Sequence, residues 1–238
     1  MSMEEKVIGI LGGMGPEATA DLFHRIIRAT PVERDQDHPR TIIYSNSKVP
    51  DRTPAITGAG PSPVPEMVKA AKALEAAGAD FLIIPCNTAH HFIKELRESV
   101  VIPILHMIEL TAEKVCCELP QVERAGLIAT DGTVMSGIYQ RSFKQQGIEI
   151  MVPPEELQQA SMDAIYGHIK KGDLDGGRKI VLKVANDLVE RGTQAVICGC
   201  TEISLVLKDG DVPVPVIDPL QLLAEVAVET ALGKVELL

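Results

Sequence analysis

The sequence has few aromatic residues and no tryptophan. Aromatic side chains make up 3% of its 238 residues, so it lacks the platforms on which single-stranded nucleic acids stack. A formal net charge of −10 argues against a protein that binds a phosphate backbone. No apolar run is long enough to span a bilayer, and the first residues, MSMEEKVIGIL, are acidic where a signal peptide is basic. We therefore expect a cytoplasmic protein that contacts neither nucleic acid nor membrane.

Cysteine is also scarce, with five copies at irregular spacing. An odd number of this kind does not form a disulfide framework, so reduced thiols are expected. Cys86 and Cys200 each end an apolar run, in IIPCNTAHH and AVICGCTEI, whereas Cys116, Cys117 and Cys198 fall at positions typical of core packing. Cys198-x-Cys200 lacks the spacing typical of a zinc site and no histidine cluster follows it, so we expect no metal.

Short β-branched runs alternate with longer helical patterns along the whole chain. This alternation indicates an α/β fold with short, mainly parallel sheets flanked by helices. The predicted strands are 6–12, 41–45, 80–85, 102–106, 124–130, 147–152, 194–199 and 214–218. The predicted helices are 16–29, 65–77, 88–98, 107–118, 133–146, 155–170, 175–191, 201–207 and 220–231.

The second half of the chain repeats the first. EAAGADFLIIPCNT (75–88) aligns without gaps on VERGTQAVICGCTE (189–202), an offset of 114 residues that superimposes the two cysteines. PILHMIELTAE (103–113) aligns on PVIDPLQLLAE (215–225) at an offset of 112 residues. Two similar domains from an internal duplication are therefore expected. Since open α/β sheets bind ligands at the carboxyl ends of their strands, we expect the site in the cleft between the domains.

The segment GILGGMGPEAT (9–19) follows the first predicted strand and begins a helix. Its G-x-G-x-x-A spacing is compatible with a dinucleotide site, but Pro16 removes an N–H where a pyrophosphate would bind. The next strand, in TIIYSNSKVP, ends in Ser and Asn and not in an acid that binds ribose. The better interpretation is a tight turn whose main chain, including Met14, approaches a small anionic ligand. A turn with only a packing role is the alternative.

A thiol at the carboxyl end of a parallel strand and the start of a helix lies where ligands bind. The helix N-terminus favours the thiolate, with Asn87 or Thr88 expected to cap the first helix and Thr201 the second. Two thiols, one from each half, supply a base on one face of a carbon and an acid on the other. The alternative is a pair of buried structural cysteines. Weaker catalytic candidates are three histidines: His90, His91 and His106.

These motifs resemble the cofactor-independent aspartate/glutamate racemase family over essentially the whole chain. GILGGMGPEAT, PDRTPAI, PCNTAH and GCTEI stand in the family's order and near its spacing. The resemblance implies one active site between two α/β domains, a homodimer, and two cysteines, Cys86 and Cys200, that exchange protons with the α-carbon without pyridoxal phosphate or metal. Together with the duplication, it places residues 1–101 and 214–238 in the first domain and 102–213 in the second.

Several other residues are candidates for binding the substrate. Arg52 follows the second strand, at the end of the sheet where a guanidinium can bind a carboxylate with two hydrogen bonds. Tyr166 and Lys170 match the family's Tyr-x-x-x-Lys pattern, which implies that Lys170 reaches the substrate. Thr130 and Thr133, in ATDGT, mirror the glycine turn and are expected to hold the α-carboxylate.

The substrate expected from these residues is a small acidic amino acid, aspartate first and glutamate second. Glu202 stands where glutamate-specific relatives carry histidine, which implies the aspartate branch or a broader racemase. Hydantoin racemases and maleate isomerases share the scaffold and are alternatives, whereas arylmalonate decarboxylases need only one cysteine. A dicarboxylate- or amino-acid-binding protein without turnover is the alternative from a different class.

Overall fold

Two parallel β-sheets organise the chain, one in each of two units. A computed structural model describes residues 5–235. The first unit contains the residues up to Met107 and those from Leu220 onward, and the second contains Ile108–Pro219. Both units are sheets flanked by helices, so the predicted α/β fold with two similar domains is confirmed.

The strands of each sheet are all parallel. In chain order they are β1 (Ile8–Gly12), β2 (Thr41–Ser45), β3 (Phe81–Ile83), β4 (Arg124–Ile128), β5 (Glu149–Met151), β6 (Ala195–Cys198) and β7 (Val216–Ile217). The first sheet has the order β2-β1-β3 and continues beyond β3 as a single bridge from Leu82 to Ile104. The second has the order β5-β4-β6-β7. The two orders correspond strand for strand, with the bridge in place of β7.

The helices alternate with these strands. In chain order they are α1 (Pro16–Ala29), α2 (Arg52–Ile56), α3 (Val64–Ala76), α4 (Ile93–Arg97), α5 (Met107–Glu118), α6 (Asp131–Ser136), α7 (Ile138–Gln145), α8 (Glu155–Met162), α9 (Leu174–Glu190), α10 (Ile203–Val206) and α11 (Pro219–Ala231). Proline at the first position of α1 supplies the φ angle that a helix needs, at a point where an N–H has no intrahelical acceptor. Within residues 5–235, no helix is long and apolar enough to cross a bilayer.

Main-chain hydrogen bonds repeat between the units with the offsets seen in the sequence. The N–H of Leu82 donates to the carbonyl of Pro103 at 2.8 Å, and the N–H of Val196 donates to that of Pro215 at 2.9 Å. In each unit this bond joins the strand before the cysteine to the next extended segment. The repeated alignment therefore describes a repeated local structure.

The chain changes unit at the start of a helix, and this differs from the predicted domain boundaries. Residues 102–107 bridge to β3 and lie in the first unit, whereas the prediction gave them to the second domain. Strand β7 pairs with β6 in the second unit, whereas the prediction gave 214–238 to the first domain. Each last strand stays beside the strand that precedes it, and only the following helix, α5 or α11, belongs to the other unit.

Three predicted helices are interrupted. The predicted helix 133–146 is divided into α6 and α7 by Gly137, whose φ is 65°. The predicted helix 88–98 is a 3₁₀ turn, Thr88–Phe92, followed by α4. The third, 155–170, continues from α8 as a π-helix, Asp163–His168, and a short 3₁₀ turn. Hydrophobic periodicity predicts the length of these segments but not the changes in hydrogen-bonding pattern within them.

Candidate active site

Cys86 lies three residues beyond the end of β3, in a buried turn. Cys86 is 6% exposed, and its N–H donates to the carbonyl of Ile84 at 2.8 Å. Asn87 and Thr88 are also buried, and the N–H of His90 donates to the main-chain carbonyl of Asn87 at 3.1 Å. Asn87 has a helical conformation and its side chain does not cap the turn, so the predicted cap by Asn87 is wrong, whereas the alternative cap by Thr88 stays a prediction.

Cys200 lies two residues beyond the end of β6, at the corresponding place in the second sheet. It is 7% exposed, and its carbonyl accepts a hydrogen bond from the N–H of Ile203 at 2.9 Å. The predicted cap by Thr201 is also wrong, because its hydroxyl donates to Glu202 Oε2 at 3.2 Å and Glu202 occupies the position before α10.

Glu202 joins this cysteine to a lysine. The Cys200 thiol donates to Glu202 Oε2 at 2.9 Å, and the Lys170 ammonium donates to Glu202 Oε1 at 2.8 Å. Glu202 is 7% exposed and the Lys170 side chain 28% exposed. Lys170 Nζ also lies 5.3 Å from the centroid of the Tyr166 ring, within range of a cation–π contact. The second unit therefore assembles an ammonium, a carboxylate and a thiol in one connected network.

The charges in this network place the proton on sulfur. Burial raises the pKa of the Cys200 thiol well above its ordinary value, and the carboxylate of Glu202 raises it further. Burial also disfavours ionised Glu202, but Lys170 and the hydrogen bond from Cys200 outweigh it and lower the pKa of that carboxyl. The expectation that a helix N-terminus lowers the pKa of Cys200 is therefore wrong. Helix α10 has only four residues, and the Glu202 carboxylate lies within hydrogen-bonding distance of the thiol.

A change of helix type positions Lys170. The π-helix Asp163–His168 carries Tyr166, and the 3₁₀ turn that follows it carries Lys170 and ends at Gly172, with a φ of 86°. His168 Nδ1 lies 2.6 Å from Asp173 Oδ2 and joins the π-helix to the start of α9. Residues 166 and 170 approach each other as the sequence pattern predicts, although the helix between them is not an α-helix.

The contacts of the glycine turn after β1 explain why the turn contains Gly13 and Thr19. Gly13 has a φ of 93°, and a Cβ there would overlap the main chain of Asn46. Its N–H donates to Thr19 Oγ1 at 2.8 Å. The carbonyl of Met14 accepts a hydrogen bond from Arg52 Nη2 at 3.1 Å. The turn is therefore tied to Arg52, another of the predicted substrate-binding residues.

Arg52 is the first residue of α2 and is held by main-chain carbonyls. Besides the carbonyl of Met14, Nη1 donates to those of Pro50 at 3.0 Å and Val49 at 3.5 Å. Asp51 caps the helix by accepting the N–H of Thr53 at 3.0 Å. These three main-chain carbonyls fix the orientation of the Arg52 guanidinium.

Thr130 and Thr133 act first as a helix cap. Thr130 Oγ1 accepts the N–H of Thr133 at 3.3 Å, and the two hydroxyl oxygens are 3.1 Å apart. Both residues are buried and lie directly after β4, where the glycine turn lies after β1. Their hydroxyls organise the start of α6, which is a structural role, and the contact with an α-carboxylate stays a prediction.

The histidines near Cys86 are placed differently from one another. His90 is 1% exposed and both ring nitrogens have main-chain partners, the carbonyl of Cys86 and the N–H of Met107. His106 is buried and His91 is exposed. Throughout residues 5–235, no group of three or more His, Cys, Asp or Glu residues is arranged to hold a metal ion.

Comparison with known proteins identifies the family. Residues 11–227 match the family model described as Asp/Glu/Hydantoin racemase. The chain belongs to this family. The broad specificity amino-acid racemase RacX of Bacillus subtilis is 30% identical over 236 residues, covering 95% of this chain and 99% of that protein. The resemblance inferred from the four sequence motifs is confirmed.

Solved structures of related proteins agree in fold over nearly the whole chain. The aspartate racemase of Picrophilus torridus is 32% identical with a TM-score of 0.85, covering 95% of this chain and 94% of that one. An aspartate racemase homologue of Pyrococcus horikoshii is 28% identical with a TM-score of 0.77, covering 95% and 99%. Both are similar to this family member across the two units.

Proposed function

We propose that this family member is a cofactor-independent amino-acid racemase in which Cys86 and Cys200 are the two proton-transfer groups. One observation carries the proposal. The two thiols occupy corresponding positions in two sheets with corresponding strand orders, each just beyond the strand that pairs with the first strand of its sheet. A duplicated scaffold that presents one thiol per unit suits a reaction with one proton transfer on each face of a carbon.

The proposed reaction balances without a cofactor. The thiolate of one cysteine takes the α-proton: the C–H bond breaks, an S–H bond forms, and the electron pair remains on the α-carbon and its carboxylate. The other thiol then gives its proton to the opposite face, so its S–H bond breaks and a new C–H bond forms. At the end of one turnover the two cysteines have exchanged roles, which is the state that the reverse reaction needs.

The network around Cys200 supports its part in this cycle. A thiol that rests protonated beside Glu202 is ready to act as the acid. When Cys200 acts as the base, it is the thiolate left by the preceding turnover, and Glu202 accepts the hydrogen bond of the thiol that forms when it takes the α-proton. Lys170 keeps that carboxylate ionised. Glu202 and Lys170 are thus proposed to tune Cys200 in addition to contacting the substrate.

Aspartate is the first proposed substrate and glutamate the second. Arg52 supports this choice, because three carbonyls orient its guanidinium, a group whose planar fork can bind a carboxylate with two hydrogen bonds. The name of the Picrophilus relative, an aspartate racemase, supports the same choice. The other binding candidates (Met14, Asn87, Thr88, Thr130, Thr133 and Thr201) are proposed to line the site, and the active form is proposed to be a homodimer.

A broader amino-acid range is the second candidate. The charge of Lys170 is balanced by Glu202 at 2.8 Å, so this lysine adds little net positive charge toward a second carboxylate. The similarity to a broad specificity amino-acid racemase supports this candidate as well. Measured rates for aspartate, glutamate, alanine and lysine separate the two candidates.

Exchange of the α-proton in deuterated water tests the mechanism. We expect wild type to incorporate deuterium into both enantiomers of aspartate. Cys86→Ser and Cys200→Ser should each lose racemisation, because a serine hydroxyl is too weak an acid to ionise at neutral pH and so cannot act as the base. Cys117→Ser is the matched control, since Cys117 is exposed. Racemisation by both single variants at wild-type rates rejects the two-thiol mechanism, and no exchange in wild type indicates a binding protein.

The substrate is tested by comparing kcat/KM for aspartate with that for alanine in wild type and Arg52→Ala. Because the equilibrium constant of racemisation is one, kcat/KM is the same for both enantiomers, so the comparison is made between substrates. We expect the aspartate-to-alanine ratio to fall by roughly 30-fold or more, the loss of a buried charge pair. This ratio cancels any loss of folded protein caused by removing the carbonyl contacts of Arg52. An unchanged ratio rejects the acidic-substrate proposal.

The absence of a cofactor is tested separately. We expect activity to survive dialysis against a metal chelator and removal of pyridoxal phosphate, because the two thiols supply both the acid and the base. Alkylation of thiols should inactivate the protein, and bound substrate should protect it. Activity that is lost on dialysis and restored by a metal or by pyridoxal phosphate contradicts this part of the proposal.

A further inference from the structure

Four residues beyond each cysteine, a buried side chain contacts the residue that ends the last extended segment of the same unit. In the first unit the rings of His90 and His106 have centroids 4.9 Å apart. In the second unit the hydroxyl of Ser204 donates to Asp218 Oδ1 at 2.8 Å. His90 and Ser204 are 114 residues apart, and His106 and Asp218 are 112 apart. These are the offsets of the duplication, so the two pairs are structural equivalents with different chemistry.

His90 also fixes the main chain of the first cysteine. Because the N–H of Met107 donates to Nε2 at 3.3 Å, that nitrogen is the acceptor, and Nδ1 carries the proton that is donated to the carbonyl of Cys86 at 2.8 Å. Burial, then His106 and Arg97, lower the pKa of His90 to about 3, so the ring stays neutral. One buried side chain thus joins the turn that carries Cys86 to the first residue of α5.

Both contacts end where the chain passes from one unit to the other. His106 and Met107 precede the passage at Ile108, and Asp218 precedes the passage at Leu220. Ser204 is fully buried on α10, the helix that follows Cys200. In each unit, the turn that carries a cysteine is therefore fastened to the start of the helix that leaves the unit.

We propose that His90 and Ser204 are positioning residues, each aligning the cysteine of its own unit by fastening the turn behind it to the segment that precedes α5 or α11. Both side chains are buried, and they are proposed to act through the cysteines and not on the substrate. The purpose of this alignment rests on the proposed racemase function, whereas the contacts themselves do not. Removing one contact should loosen one cysteine and leave the other as it was.

Site-resolved alkylation of the full chain tests this proposal without substrate. Iodoacetamide is applied briefly, and modification of Cys86 and Cys200 is counted separately by mass spectrometry of their peptides. We expect His90→Phe to raise the rate at Cys86 at least threefold with Cys200 unchanged, and Ser204→Ala to do the reverse. The conservative variants His90→Gln and Ser204→Thr, which keep a hydrogen-bonding group, should restore rates near wild type.

The outcomes separate positioning from general destabilisation. Equal increases at both cysteines, or no change at either, overturn the proposal. Ser204→Ala removes a single hydroxyl, so it decides the question for the second unit even if His90→Phe fails to fold. In the same variants kcat should fall at least threefold with KM little changed. If wild type shows no racemisation while the selective alkylation pattern is present, the proposed function fails and the positioning role stands.

Discussion

Glu202 connects the thiol and the ammonium of the network in the second unit. One oxygen accepts from the thiol of Cys200 and the other from the ammonium of Lys170. The carboxylate therefore couples the protonation of a cysteine to the position of a lysine. A change that breaks this network affects both the pKa of Cys200, which an alkylation profile measures, and the stability of the protein, which urea unfolding measures.

Replacing Glu202 by glutamine should lower the pKa of Cys200. The carboxylate raises that pKa by its charge and glutamine removes the charge, so the alkylation profile of Cys200 should move to lower pH. The profile of Cys86 serves as the internal control. Racemisation should fall roughly 100-fold, a magnitude usual when a proton-transfer group is perturbed. A shift of the Cys200 profile to higher pH contradicts the assignment of Glu202.

Replacing Lys170 by methionine should destabilise the protein by about 1–2 kcal/mol at pH 7, less than for a fully buried pair because the lysine is partly exposed. Lys170 holds the pKa of Glu202 below its ordinary value. The stabilisation that the Lys170–Glu202 pair contributes is therefore present above the pKa of about 4.3 that Glu202 has in the unfolded chain, and it is lost as the pH falls further. The difference between wild type and variant should shrink from pH 7 to pH 4.

Lys171→Met is the matched control for this substitution, since Lys171 is the exposed neighbour. It should change the unfolding free energy by less than about 0.5 kcal/mol. Urea unfolding midpoints of wild type and both variants at pH 7 and pH 4 provide the comparison. Equal losses in the two variants would show that Lys170 has no special partner.

Single-residue roles were predictable only where the chemistry shows in the local pattern. Cys86 and Cys200 could be found because each ends an apolar run and the runs repeat. The pairing of Lys170 with Glu202 could not, because the residues are 32 positions apart and either could have faced solvent. Three partners of Arg52 are main-chain carbonyls, which no sequence pattern displays.

Among the helices and turns, glycine residues with positive φ mark two joints. Gly137 divides a predicted helix in two, and Gly172 ends the turn that carries Lys170. The regular periodicity of 133–146 and 155–170 gives no sign of the break at Gly137 or of the change to a π-helix at Asp163, since the residues on both sides keep their apolar faces. Helix existence was therefore predictable here, whereas helix type and continuity were not.

Gly13→Ala should destabilise the protein much more than Gly78→Ala. The two glycines have nearly the same φ, 93° and 95°, so the cost of a left-handed conformation is matched. A Cβ at position 78 meets no atom within 4 Å, whereas one at position 13 overlaps the main chain of Asn46. We expect a loss of about 1 kcal/mol for Gly78→Ala and roughly 3 kcal/mol for Gly13→Ala. Urea midpoints check this, and equal losses would contradict the packing account of the turn.

For the chain as a whole, the duplication was the most informative sequence signal. Offsets of 114 and 112 residues predicted two similar units, and the hydrogen bonds from Leu82 and Val196 repeat at those offsets. The place where the chain changes unit was harder to predict. Strand pairing keeps β7 beside β6, and only the next helix belongs to the other unit, so the passage falls a few residues later than the predicted boundary.

Stability should decrease as the pH falls from about 6.5 to 4, because His90 and His106 are buried as neutral rings. Their folded pKa values are about 3 and about 4, below the ordinary 6.5, so the unfolded chain binds protons first. Each ring contributes up to about 1.4 kcal/mol per pH unit in this interval. His106→Gln should make the dependence shallower. Urea unfolding of wild type and His106→Gln at pH 7, 6 and 5 measures the difference, and an equal pH dependence in the two proteins would contradict this account.

The split composition of the first unit has a consequence for synthesis on the ribosome. The second unit is continuous, so all of it has been made by Pro219, whereas the first unit lacks α11 until residues 219–231 emerge. The N–H of Lys6 pairs with the carbonyl of Ala231, and Arg25 reaches Gln221, so these contacts form last. While the second unit folds, the nascent first unit therefore still lacks α11. Chaperones that bind exposed apolar surface should engage the earlier-made unit for longer than the later one.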